Sequence, residues 1–422
     1  MYSSSATIEN LKFFRLLAII LCVLFSTQIF HFFTKKGLKN MESVLFALLV
    51  LALPSFSIYY AWTTTLHVAF VLIFCFYSGQ LLLDEFLNGK IISKRIVLAF
   101  LLVFLSINIY QSIVTALILP FVFHIIITKD FKLKIAIKFL VFTGLIYVIY
   151  FIIFKLSLIG LDINIPNRTS PDLIDIPKKI IKFYLIELRT LVANSGFVIL
   201  PIISFVIGTI CFLGFFIKKL ITKESLIYIV FLGFVLAYGY SPNILSGQDY
   251  FSIRTIATSA VIVLFFQFWF LRDLSIKYKP LKPLILILPI LLLGFSSHNQ
   301  NHYLAGLQHK EYLILKKEFL SVDIEKYKKI QVIIPKHDFL QTQNYYKQGA
   351  TDEFGRLSSA RDWAVKHLFC QLHWEAQDID DNTKSVFNPE DVIVIKDNEQ
   401  YVNKSLPTIN LKESFHNAFG IH

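Results

Sequence analysis

Charge is scarce along this chain of 422 residues: Asp, Glu, Lys and Arg make up only 17% of it. Soluble globular domains carry about 25%, so the shortfall excludes an ordinary water-soluble protein. Cysteine is nearly absent too, with four in all, of which Cys22, Cys75 and Cys211 lie inside apolar runs. The remaining thiol, Cys370, cannot form an intrachain bridge by itself, which excludes a disulfide scaffold. No C-x-x-C pair occurs, and the histidines are read as having no ligand role, so no metal site is expected. Acids are rare in the first two thirds, with 12 Asp and Glu against 26 Lys and Arg before residue 297 and 17 against 15 from there on. The basic excess therefore sits between apolar runs, where it suits anionic lipid headgroups rather than nucleic acid. The first apolar run, 13–33, is too long for a signal-peptide core and has no small-residue cleavage site after it.

What is abundant is hydrocarbon. The chain is 55% hydrophobic, with 42 Phe, and its mean hydropathy is +0.61. Ten apolar stretches fill residues 13–297. Runs such as 13–33, 65–83, 137–158, 196–217 and 225–240 approach the roughly 20 residues that a helix needs to cross a bilayer. Cations gather in every second gap: Lys35, Lys36 and Lys39; Lys90, Lys94 and Arg95; Lys129, Lys132, Lys134 and Lys138; Lys218, Lys219 and Lys223; Arg272, Lys277, Lys279 and Lys282. By the positive-inside rule these five clusters are cytoplasmic, so both ends of the chain are expected outside. Lys12 and Arg15 alone stand against that scheme.

The fold class read here is an all-α polytopic membrane domain of about ten transmembrane helices over 1–297, followed by a small α/β extracytoplasmic domain over 298–422. Within the first, 96–127 runs 32 residues without a charge, broken by Asn108, Tyr110 and Gln111, and reads as a helical hairpin turning at the outer face. The long outer loop 162–195 opens with Pro166, Pro171 and Pro177 and continues, over 178–191, with a helical apolar period. That pattern predicts an amphipathic helix lying on the outer membrane surface. In the tail, 303–319 reads as helix and 330–334 and 392–395 as short buried strands.

Chemistry should reside on outer loops or on polar groups within the spans, because a polar group in hydrocarbon is costly and usually faces a cavity or partner. Four stretches qualify. Tyr110 and Gln111 mark the hairpin tip, where they either satisfy loose helix ends or bind a sugar or lipid phosphate. Asp249 and Arg254 precede a late span; the arginine could grip a phosphate bidentately or pair with Asp249. Tyr59, Trp62 and His67 form either an interfacial aromatic belt or one wall of a sugar site. Asp352, Glu353 and Arg356 in the tail surround a turn at Gly355, after which Ser358 or Ser359 is expected to cap a helix running through Trp363.

Three of these features together carry a resemblance. Outer-loop Pro54 followed by aromatics, the Tyr110-Gln111 hairpin, and the passage from Pro242 to Arg254 and Thr255 at the mouth of a span resemble the multi-spanning GT-C glycosyltransferases. The Tyr110-Gln111 pair is similar to the O-antigen glucosyltransferases of serotype-converting phages. The stretch from Asp352 to Arg356, with Ser358, Ser359 and Trp363, is similar to the tails of bacterial GT-C-like membrane proteins. The resemblance implies a bacterial cytoplasmic-membrane protein that transfers sugar from a polyprenyl-phosphate-linked donor to a surface glycan, in contact with membrane lipids and not nucleic acid. It names no cofactor. The family also carries an acidic residue in a first outer loop, whereas the only early carboxylate here is Glu9, so the chain is expected to lack the family's first span and acidic loop. Two readings stay open: an enzyme in which Asp249 is the base, or a non-catalytic subunit, polymerase or transporter component of glycan assembly.

Overall fold

A computed structural model describes residues 11–61, 65–161, 174–192, 201–246, 252–322, 329–336, 357–376, 388–396 and 405–419. Contacts divide the chain at Ser297, with Phe14–Ser297 as one compact unit and His298–His422 in another.

An apolar run in hydrocarbon has no water for its amides, so each must bond within its own helix. The first unit accordingly consists of α1 (Leu11–Lys35), α2 (Asn40–Leu51), α3 (Pro54–Ala61), α4 (Leu66–Leu87), α5 (Lys94–Ile109), a 3-10 segment Gln111–Ile118 leading into α6 (Leu119–Thr128), and α7 (Leu133–Gly160). After it come α8 (Ile176–Lys182), a π-turn Phe183–Glu187, α9 (Leu188–Val192), α10 (Pro201–Ile221), α11 (Leu226–Gly239), α12 (Ser241–Leu245), α13 (Ala257–Lys277) and α14 (Lys282–Gln300). Five helices among the described residues are long and apolar enough to cross a membrane, or six if α2 and α3, bent by 65°, count as one span. The cation alternation predicts more crossings than that. Some apolar runs are cut short, α5 stopping after 16 residues at Tyr110 and α11 after 14, just before Pro242, and part of the run 196–217 lies outside the described residues.

The outward sides are those of a membrane protein. On α7, Ile137, Val141, Leu145, Val148, Ile152 and Leu156 recur three or four residues apart, and each is at least half exposed. A stripe of that kind would be an aggregation site in water and is an ordinary lipid contact in a bilayer. Inside, phenylalanine does the packing. Phe33 (α1), Phe46 (α2), Phe123 (α6) and Phe265 (α13) are fully or almost fully buried and touch one another, the closest ring centroids being Phe123 and Phe265 at 4.5 Å. Such aromatic contacts add to the area they bury and lock four helices at one level.

Helix ends sort by charge. The turn after α1 closes with Leu38 N–H bonding Phe33 O and Gly37 at φ +89°, and that after α4 with Lys90 N–H bonding Glu85 O and Gly89 at φ +76°. Glycine is the usual residue for that left-handed position. After α6 and α10 the same conformation falls on Lys129 (φ 59°) and Lys223 (φ 53°). These ends meet one another: Lys35 pairs with Asp84 at 3.6 Å, Arg272 with Glu42 at 2.8 Å, and Lys218 with Asp273 at 2.6 Å. Lys138 lies over the Phe86 ring at 5.2 Å, and Lys129 and Lys219 line one cavity. All five cation clusters thus share one end of the helix bundle.

The second unit contains a parallel three-stranded sheet in the order β2-β1-β3, with β1 at Ile330–Ile334, β2 at Val392–Lys396 and β3 at Thr408–Asn410. Ile330 pairs with Val392, and Val332 with both Val394 and Ile409. Parallel strands need crossovers, and the helix Asp362–Ala376 lies between β1 and β2 in sequence. With α15 (Gly306–Leu320) and the helix Leu411–Phe419, it supplies Leu315, Phe319, Val365, Phe369 and Phe415 to the core. The capping role expected of Ser359 is corrected. Ser359 sits in a 3-10 turn, and its N–H (2.6 Å) and hydroxyl (2.7 Å) both donate to Glu311 Oε1 on α15. Its partner is a buried carboxylate 48 residues away, which no local pattern reveals.

Burial pushes the Glu311 carboxyl above its usual range, and the hydrogen bonds from Ser359 hold it partly back. A raised folded-state pKa means that the folded protein keeps this proton more tightly, so stability is full below the unfolded value of about 4.3 and is lost as pH rises through the folded one. Hydrogen exchange of the full chain in detergent should therefore show protection over 330–334 and 411–419 weakening as pH rises in that window. Glu311→Gln keeps an acceptor and should flatten the dependence, while Glu311→Ala orphans the buried Ser359 N–H and should cost about 1–3 kcal/mol. Equal pH profiles for the native protein and the Glu311→Gln variant would refute this account.

Candidate functional site

The end of the bundle away from the cations holds the described candidates from the sequence. There α3 is tied to the start of α13. Ser55 Oγ donates to Ile253 O at 2.6 Å, and Tyr59 OH donates to Arg254 O. On the far side, Asn243 Nδ2 donates to Thr255 Oγ1 at 3.0 Å, and Thr255 Oγ1 donates to Ser252 O at 2.8 Å. The 3-10 turn Ile253–Thr255 is thus gripped from both sides by bonds to backbone and to Thr255, and the Arg254 side chain that it carries is half-buried.

His67 and Tyr110 come together at the same end of the bundle. Thr65 Oγ1 lies 3.1 Å from Ile58 O and 3.3 Å from Tyr59 O, which joins the end of α3 to the start of α4. Two residues on, the His67 ring stands 5.7 Å from that of Tyr110. Tyr110 is extended (φ −156°, ψ 100°) and interrupts the helix, so the chain turns here as the polar break implies. Gln111 is stapled to α7: its Nε2 donates to Tyr150 OH, and its carbonyl accepts from Tyr147 OH at 3.0 Å. Behind the tip runs a series of buried hydroxyls. Tyr238 OH donates to Thr143 Oγ1 at 2.8 Å, and Thr115 Oγ1 is 3.1 Å from Thr258 Oγ1 and 3.2 Å from Gly239 O. Gly239 is required there, because a Cβ would fall 2.5 Å from Ser259 Oγ.

The segment 176–192 departs from expectation. Its outward face mixes the apolar Leu185, Ile181 and Ile186, 72%, 59% and 57% exposed, with the exposed cations Lys178 and Arg189, whereas Lys179 and Glu187 are buried. Two of its charges thus turn inward, where a polar group needs a partner. Its far end meets the middle of two long helices: Gln267 Nε2 on α13 donates to Val192 O at 2.9 Å, and a Cβ on Gly208 of α10 would lie 2.1 Å from the same carbonyl. Gln267 is ten residues into α13, about 15 Å along it at 1.5 Å per residue. The segment therefore dips into the bundle instead of lying on it. Near its start Lys179 Nζ donates to Ser246 O, Phe183 stacks on Tyr240 at 4.9 Å, and Lys182 pairs with Glu187 at 3.6 Å inside the π-turn. π-turns inside helices are frequent at functional positions.

Asp249, Trp62, Asp352, Glu353 and Arg356 lie outside the described residues, as do Glu9, Asp162 and Asp172. Tyr147, Tyr150 and Lys182 are additions, whereas Thr65 and Asn243 fall within stretches singled out from the sequence and Glu187 is one of its outer-loop carboxylates. Tyr147 and Tyr150, one helical turn apart on an otherwise apolar run, were the readable signal among them. His298 and His302, read with the other histidines as having no ligand role, stand four residues apart with ring centroids at 6.2 Å. No group of three or more metal-ligating side chains occurs among the described residues. Cofactor or metal chemistry therefore gains no donor set from these residues.

The spans, the inward polar groups and the lipid-facing stripes define the class, a helical membrane protein. No family model, curated protein or solved structure matches the chain.

Tyr59→Phe removes the hydroxyl that holds the Arg254 turn. The expected loss is about 1 kcal/mol of stability, together with faster hydrogen exchange confined to 252–256. Unchanged exchange there would show that the Tyr59 bond does not set the turn.

Proposed function

We propose that this chain is an integral membrane protein of bacterial cell-envelope glycan assembly, acting at the bundle end away from its cation clusters. It crosses the cytoplasmic membrane ten times with both termini outside, and it takes a polyprenyl-phosphate-linked sugar at the Arg254 turn for transfer to a surface glycan in the manner of GT-C enzymes. The observation that supports this most is the two-sided grip on 253–255 beside Tyr59, His67, Tyr110 and Gln111. A guanidinium on a fixed backbone is suited to bidentate contact with a phosphate, and the neighbouring phenols, imidazole and amide suit a sugar.

In this reading the leaving lipid phosphate is met by Arg254, and a carboxylate takes the acceptor proton. Asp249 is the nominated base, in the stretch between Ser246, which accepts from Lys179, and the gripped turn. The competing reading, a non-catalytic subunit that holds the glycan lipid without transferring it, shares the same Arg254 contact. Glu187 bears on the choice, since it is a buried carboxylate at this end, already paired with Lys182.

The test is binding of farnesyl phosphate, a short polyprenyl phosphate, to the purified full chain. Because the turn is held through its backbone carbonyls, Arg254→Lys and Arg254→Ala should fold normally. Both should weaken binding, Arg254→Ala by about ten- to a hundredfold, the worth of a charged hydrogen bond. Unaltered binding in Arg254→Ala, or none by the native chain, would contradict the proposal. Sugar transfer that vanishes in Asp249→Asn would select the enzyme over the subunit.

A further inference from the structure

A cavity of about 200 Å³ lies at the cation-rich end, lined by Lys129, Phe131, Lys219, Glu224, Ser225 and Tyr228. One water occupies a share of about 30 Å³, so the space admits a group several times larger. Three helix ends form it. Lys129 caps α6, Lys219 lies in the last turn of α10, and Ser225 precedes α11. The first N–H groups of a helix have no partner within it, and the Ser225 side chain does not cap α11. Ser225 and Tyr228 at the start of α11 line the cavity, so this amino end lies beside it, while the partial negative charge of the α6 and α10 carboxyl ends is offset there by Lys129 and Lys219.

Two further features point to an anion there. The Tyr228 hydroxyl is buried, the residue being 4% exposed, and has no hydrogen-bond partner among the described residues. A buried hydroxyl without a partner is costly, and a ligand oxygen would remove that cost. Lys219 is 7% exposed, and its Nζ is held 5.2 Å from the Tyr228 ring centroid and 5.8 Å from that of Phe215. Its pairing with Glu224 at 3.6 Å neutralises the one carboxylate of the lining. Lys129 then supplies a net positive charge. It does so from a left-handed backbone position (φ 59°) that glycine would fill more comfortably.

We propose that this cavity is a phosphate-binding site, taking either the headgroup of an anionic lipid or a free phosphate, through Lys129, the Tyr228 hydroxyl and the amino end of α11. It is separate from the Arg254 end and does not depend on the glycan reading.

The experiment uses the full chain carrying Arg254→Ala, so that the other end contributes nothing. In one arm, inorganic phosphate is titrated against chloride at matched ionic strength, and the thermal unfolding midpoint is followed. In the other, nanodiscs of phosphatidylcholine with and without phosphatidic acid are compared. A saturable rise with phosphatidic acid alone assigns the site to a lipid headgroup, and a rise in both arms assigns it to phosphate as such. Tyr228→Phe should fold at least as stably as its parent yet bind about tenfold more weakly, and Lys129→Gly, which suits the backbone, should lose a similar factor. No saturable rise in either arm, or full affinity retained by both variants, would overturn the proposal.

Discussion

The structure depends on the meeting of five helix ends and their lysines in one place. Each of α1, α4, α6, α10 and α13 finishes at the same end of the bundle, where its last carbonyls leave a partial negative charge that nearby cations offset. Packing five such ends together would concentrate that charge, and Asp84, Glu42, Asp273 and Glu224 tie the lysines and arginine back to neighbouring helices. Exposed pairs of this kind add little stability individually. Their value is directional, because lysine and arginine on short loops are what set a membrane protein's orientation.

Phenylalanine fills the middle, with Phe123 in contact with Phe32, Phe33, Phe46, Phe76 and Phe265. Small residues, the usual means of close helix approach in membranes, stand where backbones nearly touch at Gly79 against Leu117 O and at Gly208 against Val192 O. Polar side chains are drawn inward toward the opposite end. The dip of 176–192 is the clearest case, carrying Lys179 and Glu187 into the protein while Leu185 faces out.

Much of this was legible along the chain because its causes are local. Apolar run lengths, the cation alternation, the break at Tyr110 and the strands read at 330–334 and 392–395 all follow from neighbours in sequence. What was illegible depends on distant partners. The bond between Tyr59 and Arg254 spans 195 residues, and that between Ser55 and Ile253 spans 198. Periodicity over 178–191 implied a two-faced helix but could not say that Lys179 and Glu187 turn inward while Lys178 and Arg189 stay exposed. Strand Thr408–Asn410 is three residues long, too short for any alternation to register. Ser359 resembled a cap and instead serves Glu311. Lys129 and Lys223 occupy left-handed turns where the sequence gives no glycine to mark them.

The central claim is that the cation-rich end faces the cytoplasm and the Arg254 end faces outward. Substituted-cysteine labelling of intact cells with a membrane-impermeant maleimide tests it directly. Cysteine at Lys90 or Lys132 should stay unlabelled until the membrane is permeabilised, and cysteine at Lys412 should label at once. Labelling of the Lys132 position from outside, with the Lys412 position protected, would contradict the account.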